Sequence, residues 1–244
     1  MSTPRPFLRA EWRQLLMLNY EVDPAVLRPR VPAGVVLDLF EGRALASVVG
    51  FRFLRTRLLG VPVPLHRDFD EVNLRFYVRR EMPDGTVRRG VTFVRELVPR
   101  LAIALVARAA YNEPYRALPM RSVVPSGAPD AAGRLEFAFR DGGRWQSVGA
   151  RTEGAMRPLA AGSEAEFVTE HYWGYTRQRD GRTVEYQVEH PRWAVRDALD
   201  ARLDVDVAAL YGSEFVPALS APAASAFVAA GSPVVVRRPL RLPR

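Results

Sequence analysis

Three Asp-Gly pairs, each set between segments of alternating, β-rich sequence, constrain the fold of this chain more than any other feature. They are Asp84-Gly85, Asp141-Gly142 and Asp180-Gly181. Asp-Gly supplies the two positive-φ positions that a tight type I′ turn needs, so each pair predicts a β-hairpin. Strands are also expected before the first hairpin, over residues 15–22, 35–40 and 43–54.

Helices are expected at three places between the predicted strands. Asp23 followed by Pro24 indicates a short helix that runs to about Arg28. A second helix is expected from about Arg100 to Ala110, and it is predicted to be buried because 101–110 is apolar all round. A third helix is expected over 164–171, because Ser163 can cap its start and Glu166 follows three positions later. No repeat or linker divides residues 1–244, so the sequence predicts one α+β domain, mainly antiparallel sheet curled into a partly closed barrel.

Composition excludes several classes of function. The 244 residues contain no cysteine and no lysine, so disulfides, thiolate chemistry and a Schiff base on a lysine side chain are excluded. Although the net charge is +8, all 35 basic residues are scattered arginines, which disfavours a nucleic-acid partner. No signal peptide and no apolar run long enough to cross a bilayer are seen, so a cytoplasmic protein without a membrane partner is expected. G-x-S-x-G, P-loop and dinucleotide motifs are absent, and no cofactor is expected.

One predicted strand carries polar side chains on a single face. With a period of two, Glu71, Asn73, Arg75 and Tyr77 lie on one side, and the residues between them are apolar. A two-residue turn at Asp84-Gly85 would place Asn73 opposite Glu96, Arg75 opposite Val94 and Phe76 opposite Phe93, with Arg75 and Glu96 as diagonal neighbours. The alternative interpretation is an amphipathic strand whose polar face lies in water.

Arg108 is the one charge within the apolar stretch 101–110 of the predicted buried helix. A buried guanidinium needs a carboxylate partner or an anionic ligand, and Glu71, Glu96 and Glu113 are candidate partners. A structural ion pair, or an arginine that reaches solvent at the helix end, remains the alternative.

The third hairpin would bring two histidines together. A two-residue turn at Asp180-Gly181 pairs Tyr175 with Tyr186, Trp173 with Val188 and His171 with His190. The chain has three histidines and no third ligand at a recognisable spacing, so a metal site is not expected. His171 is assigned to packing and His190 to a pocket.

Several segments together resemble the uncharacterised YqjF-like family, which is related to acetoacetate decarboxylase. They are Trp12 with Asn19-Tyr20, 31–34, 71–78, Pro114-Tyr115 with Met120, 162–163 with 170–172, and 190–193. The resemblance spans most of the chain, and it implies an acetoacetate-decarboxylase-like curled sheet or partly closed barrel around one buried helix.

The resemblance also bears on activity. In the decarboxylases a Gly-Arg-Glu leads to a Pro-Lys-Lys; here Arg108 matches the arginine, but Ala109 replaces the glutamate. Pro114 matches, but Tyr115 and Arg116 stand where the two lysines would be. In the decarboxylases the first lysine forms the imine and the second lowers the pKa of the first. A tyrosine cannot form an imine, and an arginine stays protonated, so neither residue can replace the lysine at its position. The activity is therefore in doubt, while the pocket is expected to survive.

The sequence thus predicts a pocket that binds a small, anionic molecule, a carboxylate or keto acid, without Schiff-base chemistry. The predicted lining is Glu71, Asn73, Arg75, Tyr77, Glu96, Arg108, Tyr115 and His190. Two alternatives remain open: a cofactor-independent lyase or hydratase with Glu71 or Glu96 as general base, and a structural protein whose barrel is filled by side chains. A homo-oligomer is also left open.

Overall fold

The computed structural model describes residues 5–62, 67–99, 112–126 and 131–243. The strands are β1 (Pro6–Glu21), β2 (Val36–Leu37), β3 (Leu45–Leu58), β4 (Val61–Pro62), β5 (Phe69–Glu81), β6 (Val87–Val98), β7 (Tyr115–Ala117), β8 (Met120–Val123), β9 (Gly133–Asp141), β10 (Arg144–Thr152), β11 (Trp173–Arg177), β12 (Thr183–Glu189), β13 (Val195–Asp204), β14 (Ser225–Arg237) and β15 (Leu240–Arg241). The α-helices are α1 (Pro24–Leu27), α2 (Glu164–Thr169), α3 (Val207–Tyr211) and α4 (Val216–Leu219), with 3₁₀ turns at Arg28–Arg30 and Ser213–Phe215.

The strands form a ring with an arm. β12 pairs with both β11 and β14, which brings the strand order β12-β11-β6-β5-β3-β1-β14 back on itself. From β14 the sheet continues outward through β13, β10, β9 and β8, and this arm packs back on the ring. The predicted α+β fold, mainly of antiparallel sheet, is confirmed; β6 makes parallel pairs with β7 and β11.

The arm gives the central strands two buried faces. Val72, Leu74 and Phe76 of β5 pack with Phe137 and Phe139 of the arm in one apolar cluster. The alternate residues of β5 face the interior of the ring, and Glu71 and Asn73 are each 2% exposed. The polar face of this strand therefore lies inside the protein, and the interpretation that placed it in water is wrong.

All three Asp-Gly pairs lie at antiparallel hairpins, but none is the centre of a two-residue turn. In the first hairpin, Glu81 pairs with Val87 and Met82 N donates to Thr86 O. The loop between them therefore has three residues and ends at Gly85. In the third hairpin, Arg177 pairs with Thr183 and Gln178 N donates to Arg182 O, so the loop again has three residues and ends at Gly181. In the second, the two-residue turn is Gly142-Gly143, one residue later than predicted.

The shift in the third hairpin changes its facing pairs. Tyr175 lies opposite Glu185 and Trp173 opposite Gln187, so the predicted pairs with Tyr186 and Val188 are wrong. The predicted pairing of His171 with His190 is wrong for the same reason, and His171 lies before the start of β11.

The two short helices begin where the sequence predicts. The Asp23 side chain accepts a hydrogen bond from Ala25 N at 2.8 Å, which caps α1. Ser163 Oγ accepts from Glu166 N at 3.2 Å at the start of α2, which ends at Thr169 rather than at residue 171. The predicted helix over 100–110, with Arg108, lies outside the described residues.

Candidate functional site

A cavity of about 190 Å³ lies inside the ring. Its wall is mostly aromatic and aliphatic, with side chains from β1, β3, β5, β6 and β12. Trp12, Phe51, Phe53 and Phe69 form one apolar end, in which the Phe53 and Phe69 rings stack at 4.6 Å. The polar residues that line the cavity are Thr56, Glu71, Asn73, Arg75, Glu96, Glu113, Tyr115, Thr169, His171, Tyr186 and His190.

The sheet register brings the polar residues together. Asn73 of β5 lies opposite Glu96 of β6, as predicted, and Glu96 pairs in turn with Tyr115 of β7. Glu71 lies two residues along β5 from Asn73, on the same face, opposite Phe51 of β3. Three adjacent strands thus place four polar side chains side by side at the cavity.

Three buried glutamates share this part of the cavity. Asn73 Nδ2 donates to Glu71 Oε1 at 2.9 Å, Tyr115 Oη donates to Glu71 Oε2 at 3.4 Å, and the Tyr186 hydroxyl donates to Glu113. Burial raises the pKa of Glu71 to about 7 and the pKa of Glu113 to about 8. Burial, together with the neighbouring Glu113 and Glu71, holds the pKa of Glu96 well above its usual range. Near neutral pH the cluster therefore carries protons, and its carboxyl groups can donate hydrogen bonds.

Arg75 lines the same cavity but makes no ion pair with the three glutamates. The three-residue loop places Arg75 opposite Phe93 and Phe76 opposite Thr92, so the predicted pairs with Val94 and Phe93 are wrong. A bulge between Leu74 and Arg75 then restores the predicted register at Asn73–Glu96. Arg75 Nη2 donates to Val168 O at 3.4 Å, and the guanidinium lies 5.8 Å from the centre of the Tyr77 ring. Within the described residues Arg75 forms no ion pair, and its Nε has no hydrogen-bond partner. The predicted contact of Arg75 with Glu96 is therefore not formed.

A buried histidine and aspartate lie beside Arg75. His171 Nε2 is 3.1 Å from Asp38 Oδ2, and Arg89 Nε donates to the same oxygen at 2.7 Å. Burial lowers the pKa of His171 to about 4, despite the hydrogen bond to Asp38. Burial alone would raise the pKa of Asp38, but the hydrogen bonds from His171 and Arg89 hold it below its usual value. His171 is therefore neutral and Asp38 ionised at neutral pH.

His190 lines the cavity on its own, apart from His171. Its ring stacks on Trp193 at 4.0 Å, its Nδ1 lies 2.9 Å from Pro191 O, and burial lowers its pKa to about 4. In the described part of the chain no group of three or more histidine, aspartate or glutamate side chains could hold a metal ion.

The structure brings most of the predicted site residues to one cavity. Of the eight, six line it: Glu71, Asn73, Arg75, Glu96, Tyr115 and His190. Tyr77 lies on the same strand face, packed against Arg75 and His171, with its hydroxyl bonded to Ser47. Arg108 lies outside the described residues. Arg116, at the position of the second decarboxylase lysine, is not among the lining residues and forms a two-bond ion pair with Asp141.

Among the titratable residues that line the cavity, three were not predicted from the sequence. They are His171, which was assigned to packing, Glu113, which was considered only as a partner for Arg108, and Tyr186, which was predicted only to face Tyr175. Each reaches the cavity from a segment whose register or loop path is not set by a local pattern. A signal was present for Glu113, which stands two residues before Tyr115 in the decarboxylase-like motif.

Solved structures with the same fold include acetoacetate decarboxylases. The acetoacetate decarboxylase of Legionella pneumophila matches with a TM-score of 0.66 at 15% identity, covering 100% of this chain and 90% of that chain. The enduracididine biosynthesis enzyme MppR, in complex with pyruvate, matches with a TM-score of 0.67 at 15% identity, covering 100% and 92%. An acetoacetate decarboxylase-like enzyme from Sphingomonas wittichii matches with a TM-score of 0.65 at 14% identity, covering 98% and 94%. At these identities the likeness shows the fold.

Sequence comparisons identify the family. The uncharacterized protein YqjF of Bacillus subtilis is 30% identical over 206 residues, which cover 82% of this chain and 78% of YqjF. Residues 9–233 match the family DUF2071, described as an uncharacterized conserved protein. No helix within the described ranges is long and apolar enough to span a membrane. The chain belongs to the DUF2071 family, whose fold is that of the acetoacetate decarboxylases.

Proposed function

We propose that the cavity binds a small carboxylate or keto acid, with the ligand carboxylate held by Arg75. The observation that carries this proposal is a cavity-lining guanidinium that forms no ion pair within the described residues. A charge in a mostly apolar cavity is costly unless something compensates it, and a planar carboxylate accepts two parallel hydrogen bonds from the guanidinium fork.

The glutamate cluster complements such a ligand. With raised pKa values, Glu96 and Glu113 keep their protons near neutral pH and present O–H donors instead of negative charge. A carbonyl or hydroxyl oxygen of the ligand would accept from them, as the carboxylate accepts from Arg75. The site thus favours an anion that carries a second oxygen-bearing group, which describes a keto acid.

The structural relatives support the ligand class. MppR has been solved with pyruvate, a keto acid, and its fold is shared over the full length of this chain. At 15% identity this likeness does not transfer residue roles. The pyruvate bound to a protein of this fold favours a keto acid over other anions of the same size as the ligand.

The chemistry differs from imine formation. No lysine is present, and Tyr115, which lines the cavity, stands where the decarboxylase motif that the sequence resembles has its first lysine. With a pKa raised to about 7, Glu71 can act as a general acid or a general base near neutral pH, so a lyase or hydratase with Glu71 as general base stays the second candidate. Glu96, whose pKa is raised well above its usual range, is suited to donate a proton. The 190 Å³ cavity weighs against a barrel filled by side chains.

Calorimetric titration with pyruvate, acetoacetate and acetate tests the proposal. Arg75→Met should weaken keto-acid binding about 10- to 150-fold, since hydrogen bonds to charged groups contribute about 1.5–3 kcal/mol. Arg140→Met, which removes an exposed arginine from β9, is the matched control and should bind as the unaltered protein does. The melting temperature of Arg75→Met should not fall, because the substitution removes a guanidinium without an ion-pair partner in the described ranges. Equal affinities for Arg75→Met and the control would contradict the proposal.

A further inference from the structure

His171 and Asp38 form a pair that binding of an anion does not explain. The His171 side chain is 1% exposed and lines the cavity, and its Nε2 lies 3.1 Å from Asp38 Oδ2. Asp38 is 5% exposed and is fixed by its own backbone, since Asp38 N donates to Tyr77 O at 3.0 Å. The pair is therefore held rigidly at the edge of the cavity.

The surroundings of Asp38 decide which imidazole nitrogen carries the proton. Arg89 pairs with Asp38 at 2.7 Å and Arg79 at 3.8 Å, so the carboxylate is ionised and accepts from Nε2–H. The proton on Nε2 leaves the lone pair on Nδ1. Nδ1 is buried and has no hydrogen-bond partner among the described residues. A purely structural histidine would satisfy this nitrogen, because an unpaired buried acceptor is costly.

Tyr77 links the histidine to the proposed anion site. The His171 ring lies 4.7 Å from the Tyr77 ring, and the Arg75 guanidinium lies 5.8 Å from the same ring. Arg75 and His171 also both line the cavity, so we place the remainder of a short keto acid held by Arg75 against His171. The glutamate cluster lies farther along the same face of β5, where Glu71 and Asn73 precede Arg75.

We propose that His171 is a general base that removes a proton from the carbon next to the carbonyl of a keto acid held at Arg75, with Asp38 as its positioning residue. This activity, enolisation without a cofactor, rests on the proposed function. It uses a neutral imidazole backed by a carboxylate, which fixes the tautomer and offsets part of the cost of forming a buried imidazolium.

The step balances without a further reactant. The C–H bond breaks, its proton moves to His171 Nδ1, and its electron pair forms the C=C bond of the enol. The carbonyl π electrons move to the oxygen, which takes a proton from a neutral carboxyl group of the cluster. Glu113 and Glu96 both line the cavity and are the candidate donors. The reverse step returns a proton to carbon, so that in D₂O the product is the same keto acid carrying deuterium.

Proton NMR of 2-oxobutanoate in D₂O tests the inference on the full chain. The unaltered protein should exchange the protons at C3 faster than buffer does. His171→Gln keeps an amide N–H that can donate to Asp38 but lacks the basic nitrogen, and it should lower the exchange rate at least about 100-fold. Its affinity for 2-oxobutanoate, measured by calorimetry, should stay within about twofold.

The second variant tests Asp38 as a positioning residue. Asp38→Asn should lower the maximal exchange rate and leave KM nearly unchanged, whereas loss of structure would change both. Arg140→Met, an exposed arginine of β9, should exchange as the unaltered protein does.

The outcomes separate this inference from the proposed function. Binding of 2-oxobutanoate without exchange, or equal exchange by His171→Gln, would overturn the assignment of His171 and leave the anion site in place. Absence of any keto-acid binding by the unaltered protein would overturn both.

Discussion

At the residue scale, position 115 places a tyrosine hydroxyl in the cavity. Tyr115 lines the cavity, and its hydroxyl donates to Glu71 at 3.4 Å. Burial, with the three nearby glutamates, holds the pKa of Tyr115 well above its usual range. The hydroxyl therefore stays protonated at neutral pH and acts as a hydrogen-bond donor.

The absence of lysine leads to a prediction about imine chemistry. Acetoacetate with borohydride should add no mass to any side chain, because the α-amino group of residue 1 is the one primary amine in this sequence. Intact-mass and peptide mass spectrometry would measure this, with an acetoacetate decarboxylase as the positive control. A reduced adduct on any peptide that lacks residue 1 would contradict the account.

Residue patterns predicted one part of the site and not the other. The alternation of Glu71, Asn73 and Arg75 along β5 was enough to place them on one face, because a strand turns successive side chains to opposite sides. His171 and Glu113 lie just outside regular strands, at the end of α2 and before β7. Their positions depend on how loops pack, and no local periodicity encodes that.

At the element scale, the Asp-Gly pairs predicted hairpins correctly and register incorrectly. In the first and third hairpins the glycine takes the left-handed position that closes a three-residue loop, with φ of 82° at Gly85 and 78° at Gly181. The same dipeptide fits this loop and a type I′ turn. One residue of difference in loop length exchanges every facing pair, which is why Tyr175 faces Glu185.

Gly231 on β14 permits a close approach of two strands. Its φ is +76°, and a Cβ at this position would collide with the Trp12 carbonyl of β1. Gly231→Ala should therefore lower the free energy of unfolding by more than about 2 kcal/mol, from backbone strain and overpacking together.

Gly143→Ala is the matched control for this substitution. Gly143 also has a positive φ, of +84°, but has nothing within 4 Å of an added Cβ, so the cost should be about 1 kcal/mol. Urea unfolding followed by circular dichroism would compare the two. Equal destabilisation would show that strain alone, and not the contact between β1 and β14, determines the cost.

At the scale of the whole molecule, the ring and its arm explain why a polar strand face is buried. The arm covers one side of β3 and β5, and the ring encloses the other. Local sequence predicts the strands, but it does not predict that β12 pairs with β14. The paired residues of these two strands are nearly 50 positions apart in the sequence, and their pairing closes the ring. The choice between a solvated face and an internal cavity therefore required the tertiary structure.

The buried glutamates should make stability depend on pH. Their folded-state pKa values, about 7 for Glu71 and about 8 for Glu113, exceed the usual 4.5, so their contribution is fully present below pH 4.5 and is lost as pH rises through 7 and 8. His171 and His190 have pKa values lowered to about 4, so their effect is opposite: the free energy of unfolding falls as pH drops from 6.5 to 4. The free energy of unfolding should thus fall from pH 6.5 to 8, by up to about 1.4 kcal/mol per pH unit for each proton.

Glu113→Gln isolates one of these protons. Glutamine keeps the oxygen that accepts from Tyr186 and does not ionise, so the slope between pH 6.5 and 8 should be smaller than in the unaltered protein. Denaturant unfolding at constant ionic strength would measure both slopes. A stability that is flat or rises with pH in this window would show that the carboxyl groups are ionised in the folded protein.

A crystal structure of the protein with bound pyruvate tests the central claim most directly. The account predicts the pyruvate carboxylate on the Arg75 guanidinium, with N···O distances of about 2.7–2.9 Å, and the keto oxygen directed toward the glutamate cluster. Pyruvate bound outside the ring, or inside it with its carboxylate away from Arg75, would contradict the account.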